Sequence, residues 1–160
     1  MTDKSMKTTL SGDELVVATA DGPVRYDQKF LVAALLVHVA KGSGQIEPEE
    51  SSLMIDLLEE YFHLQAAESL ELITYAMNEM RDKPELAASL AELAATLSDR
   101  NKEDICLMGL KVVAADGQRK AEEMEQLNGA IEALGIAPDI VHRAFDRYFA
   151  ETMPDTGEPL

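Results

Sequence analysis

Tryptophan is absent, and the remaining aromatics, four Tyr and four Phe, make up 5% of the 160 residues. A core without large rings must be filled by Leu, Ala, Val, Ile and Met, and Ala, Leu and Met are the strongest helix formers. Basic residues are scarce, 14 against 30 acidic ones, for a formal net charge of -16. That balance excludes nucleic acid as a direct partner, because phosphate binding needs clustered Lys and Arg. It also disfavours an anionic membrane surface. It suits cations or a basic protein surface. There is one cysteine, Cys106, so no internal disulfide can form, which fits a reducing compartment. The longest apolar run, 30–40, contains His38 and is too short to span a bilayer. Residues 1–10 hold no apolar run of signal-peptide length. The expectation is a cytoplasmic chain with no direct membrane insertion.

Catalytic signatures are missing too. There is no Walker loop, no dinucleotide-binding glycine fingerprint and no Gly-x-Ser-x-Gly elbow. His38, His63 and His142 are too far apart to give two ligands four residues apart on one helix face. Cys106 sits in an apolar stretch, where a thiol behaves as a small hydrophobe. No enzyme is expected.

What is present is helical periodicity. Hydrophobic residues are 46% of the chain, and its length suits one domain burying ~70% of its unfolded surface. The pattern predicts seven helices, over about 27–41, 48–62, 65–80, 84–97, 102–115, 121–134 and 138–149. The first has no polar face and the fifth little, so both belong at the centre of a helix-on-helix bundle. Pro48 and Pro138 mark helix starts. Asp99 and Asn101 are candidate caps for the fifth helix. Residues 1–25 read as a flexible segment whose first dozen residues fray. Within it, 14–18 and 23–26 pair as a short hairpin around Asp21-Gly22. Residues 26–151 form the helical domain, and 152–160 a mobile tail.

One segment occurs twice. Val39-Ala40-Lys41-Gly42-Ser43-Gly44 leads to Glu49-Glu50, and Val112-Val113-Ala114-Ala115-Asp116-Gly117 leads to Glu122-Glu123. Each closes an apolar helix, turns on glycine and opens the next helix with paired glutamates. The reading is an all-α bundle with an internal pseudo-repeat of two helix–turn–helix halves. Asp116, Glu122 and Glu123 gather carboxylates at one turn, and hard oxygen donors suit Ca, Mg or Mn ions. The first copy offers Ser43, Glu49 and Glu50, a weaker set because Ser43 replaces the aspartate. The spacing does not match an EF-hand loop, and Arg119 and Lys120 fall inside the second turn. Acidic residues at a helix start also serve as ordinary dipole partners and caps.

These residues carry a resemblance. The buried helix, the Ala115-Asp116-Gly117 turn, the Glu122-Glu123 start, Leu134-Gly135-Ile136 and the second copy resemble the tellurite-resistance TerB family, in particular its bacterial TerB-like branch. The similarity covers about 30–151. It implies a compact all-helical domain in a stress-response setting. It also implies a divalent cation held by acidic residues, here Asp116 and Glu123, with Ser43 and Glu50 in the first copy. Ser43 and Arg119 depart from the family's usual aspartate and apolar residue. A second reading needs no metal. The stretch 47–60 has six acidic and no basic residues, and such a face would dock a protein partner with a basic surface, in a scaffold role. Homodimer formation is left open.

Overall fold

The computed structural model describes residues 7–11, 14–41, 46–83, 85–115 and 120–152. Three strands come first: β1 (Lys7–Ser11), β2 (Glu14–Thr19) and β3 (Gly22–Tyr26). They form one antiparallel sheet in the order β1-β2-β3, with Leu15 opposite Tyr26 and Val17 opposite Val24. Alternation puts Leu15 and Val17 inward, both buried. Pro23 is accommodated because β3 is an edge strand, where a missing N–H costs no ladder bond. The hairpin turns at Ala20-Asp21, and Gly22 follows at φ 114°, a value a side chain would strain. Residues 7–11, expected to fray, instead pair with β2 as a third strand. The pairing is tertiary in origin, since this stretch carries only one large apolar side chain.

Seven helices follow among the described residues: α1 (Gln28–Ala40), α2 (Pro48–Phe62), α3 (Ala66–Asp82), α4 (Leu86–Ala94), α5 (Asp99–Ala114), α6 (Lys120–Ala133) and α7 (Pro138–Thr152). Asp27 caps α1, its carboxylate accepting the Phe30 N–H at 3.0 Å. α5 begins earlier than the periodicity predicts. Ser98 is its N-cap, and the hydroxyl accepts from the Asn101 N–H at 3.1 Å. Asp99 therefore lies inside the first turn, where a carboxylate favours the positive end of the dipole. His63 ends α2 in the left-handed region at φ 59°.

α1 is the axis of the bundle and packs against α2, α3, α4, α5 and α6. From Phe30 to Ala40 only His38 escapes burial. α5 is the second buried helix and packs against α1, α2, α6 and α7. Gly109 lets α6 approach: a Cβ there would lie 2.6 Å from a terminal methyl of Leu127. The sheet seats on α4 and α1 through β2 and β3. Tyr26 fixes it to α3, its hydroxyl donating to Glu79 Oε1 at 2.6 Å while Lys83 Nζ donates to both. Burial, and then the Glu79 hydrogen bond, push the Tyr26 phenol up to about 12.

Candidate functional site

The glutamate pairs open α2 and α6. In each pair the first member is exposed and the second wholly buried: Glu49 and Glu122 face solvent, whereas Glu50 and Glu123 have no accessible surface. Neighbours on a helix diverge by about 100°, so two adjacent glutamates cannot serve one point equally. Buried acidic side chains are rare without compensation. Two of them, each in the first turns of a helix, are therefore the least expected feature of the core.

Glu50 is the better defined. Pro48 and Glu49 form the start of α2, and Glu50 folds back so that Oε1 accepts the backbone N–H of Glu47 at 2.9 Å. That is half of a capping box and explains one oxygen. The other, Oε2, is buried and has no hydrogen-bond partner among the described residues. Gln65 and Glu68 repeat the capping contact at the start of α3, at 2.8 Å. Glu68, however, is exposed, so capping does not require burial.

Asp116, Ser43 and Arg119 lie outside the described residues. The predicted meeting of Asp116 with Glu122 and Glu123 lies there too. Among the described residues, no group of three or more His, Cys, Asp or Glu side chains is placed to hold a metal ion. Cys106 is buried, and desolvation, followed by the charge of Glu103, pushes its thiol up to about 12, which makes it unreactive. His38 is open to solvent. Partial desolvation of its ring lowers its pKa. His142 is exposed, 3.9 Å from Asp146.

One cluster went unforeseen. α5 and α7 are joined by ion pairs in which Arg143 Nε meets Glu103 Oε1 at 3.0 Å. Arg147 Nη1 meets Glu103 Oε2 at 3.1 Å and Asp104 Oδ1 at 2.6 Å. The Tyr61 hydroxyl from α2 lies 3.1 Å from Asp104 and from Asn101. Hydrogen bonding from Arg143 holds the Glu103 carboxyl below its usual range. Burial, then the Asp104 charge, push the Tyr61 phenol up to about 12. Tyr61, Asp104 and Arg147 themselves line a cleft of about 390 Å³, together with Leu57, Leu107 and Met108. The only local signals were spacings of four between Arg100 and Asp104 and between Asp139 and Arg143. The pairing of Arg143 and Arg147 with α5 is set by packing alone.

Fold and site together define an all-helical bundle with a small N-terminal sheet and a buried glutamate at the start of two helices. The family model described as "Tellurite resistance protein TerB" matches residues 29–146, well over half of the chain, and the chain belongs to that family. No curated protein and no solved structure matches it significantly. No helix among the described residues is long and apolar enough to cross a membrane.

Proposed function

We propose that this protein is a non-enzymatic, cytoplasmic TerB domain that binds a divalent cation at its acidic inter-helix turns, in a stress response of the tellurite-resistance type. One observation carries the reading: the second oxygen of Glu50 is buried with no hydrogen-bond partner among the described residues. An anionic oxygen held out of water is costly unless a positive charge meets it, and a carboxylate suits Ca, Mg or Mn. Glu50 and Glu123 would be ligands, and Asp116 and Ser43 enter on sequence alone. The cation would act structurally, neutralising buried charge and tying each turn to its helix.

Titration calorimetry of the full chain with Ca²⁺, Mg²⁺ and Mn²⁺ tests this. The expected result is saturable heat for at least one ion, reduced in Glu50→Gln and in Asp116→Ala. Absence of heat for every ion, with Asp116→Ala identical to wild type, refutes it.

The alternative, an acidic docking module, is favoured by a separate observation. Glu49, Asp56 and Glu60 are exposed along α2. Glu50, first counted with that face, is buried and cannot contribute. Charge reversal at Glu49, Asp56 and Glu60 that leaves capture of a basic partner unchanged removes this reading.

A further inference from the structure

Two cavities adjoin along α1. One, of about 170 Å³, is walled by Leu31 and Leu35 of α1, Leu90 of α4 and Ala130 and Ala133 of α6. The other, of about 360 Å³, opens between the ends of α1 and α3 beside Lys41 and Arg81. They share Ala34, His38 and Met80, so they form one groove. The groove is graded. Its inner end is almost wholly aliphatic, His38 stands at the junction, and its outer end carries two cations and Gln126.

We propose that this groove binds a medium-chain carboxylate, with the alkyl chain in the aliphatic slot and the carboxylate at Lys41 and Arg81. Size supports the match: a dry aliphatic cavity of about 150 Å³ takes a molecule the size of benzene, so the slot holds roughly six carbons. The remaining carbons pass His38 and Met80, whose thioether adapts readily to a ligand's shape. Charge supports it as well. In a chain of net charge -16 the groove's outer end gathers two cations. Lys41 has no ion pair among the described residues. Among the described residues Arg81 forms an ion pair only with Asp82, at 3.1 Å and largely exposed, a contact a ligand carboxylate readily replaces. Neither Glu50 nor Glu123 lines this groove.

Titration of the full chain with octanoate and decanoate, at about 0.15 M salt to screen the acidic surface, tests the proposal. Saturable one-to-one binding is expected. Ala133→Phe and Gly129→Leu place bulk at the slot from exposed positions on α6; the space beside Gly129 is open. Each should weaken binding about tenfold, the cost of losing one to two buried methylenes, with cooperative melting retained and Tm raised in Gly129→Leu by its gain in helix propensity. Lys41→Gln and Arg81→Gln should weaken octanoate about fivefold, the scale of one exposed charge contact, and leave 1-octanol unaffected. The proposal is overturned by no saturable heat at millimolar decanoate, by unaltered binding in both slot variants, or by octanol matching octanoate. A dimer in sedimentation that Ala133→Phe dissolves also overturns it, because the occupant would then be a second copy of the chain.

Discussion

Replacing Glu50 by glutamine should stabilise the metal-free protein and reduce its response to cations. Glutamine keeps the shape of the side chain and can still accept the Glu47 N–H, now made at 2.9 Å. It exchanges a buried carboxylate oxygen with no hydrogen-bond partner among the described residues for a neutral amide in the same place. An unsatisfied buried group costs about 1–3 kcal/mol, and more when charged. The exchange should therefore gain about 1–2 kcal/mol. For a domain of this size each kcal/mol moves Tm by about 2–4 °C, so melting in excess chelator should rise by about 2–8 °C. Adding the cation at about a hundred times its Kd should stabilise wild type by about 2.7 kcal/mol, or roughly 5–11 °C. The variant should gain less, because only the turn at α6 still binds. Glu50→Ala serves as the control: it removes the charge but also the capping acceptor, which contributes about 1 kcal/mol. Calorimetric melting in chelator and in each cation gives all these values. If Glu50→Gln melts below wild type in chelator, or gains the same cation shift, the argument from the buried oxygen is wrong.

Three other outcomes follow from the packing. Gly109→Ala should gain up to about 1 kcal/mol of helix propensity but lose about 1–3 to overpacking against Leu127. Coupling of at least about 0.5 kcal/mol with Leu127→Ala is expected in a double-mutant cycle of urea midpoints, and strict additivity would contradict the close approach. Tyr26→Phe removes the hydroxyl that meets Glu79 and Lys83. It should cost about 1–2 kcal/mol, with amide exchange in β2 and β3 accelerating before that of α5; unchanged exchange in the sheet would deny Tyr26 its fastening role. Glu103 has its folded pKa lowered from 4.5, chiefly by Arg143, so its stabilisation is complete above that value and lost as pH falls through the folded pKa. Between about pH 5 and 3 wild type should lose more stability than Glu103→Gln, and parallel pH profiles by urea denaturation would show that the pair contributes nothing.

The sequence alone determined the helices. Apolar periodicity, Pro48, Pro138 and Asp27 act within a turn or two of chain, so their effects are local and legible. It also marked α1 as buried, because a helix without a polar face has nowhere else to go, and it singled out the glutamate pairs. The duplicated-half reading rests on the sequence alone. Tertiary structure decided the rest. The phase of α2 and α6 against their neighbours chose Glu50 over Glu49 and Glu123 over Glu122 for burial. Pairing with β2 made a strand of 7–11. The approach of α7 to α5 joined Arg143 and Arg147 to Glu103 across some forty residues. A groove beside α1 put His38 in solvent despite its apolar sequence neighbours. Each depends on which surfaces meet, and a chain read one turn at a time holds no record of its distant partners.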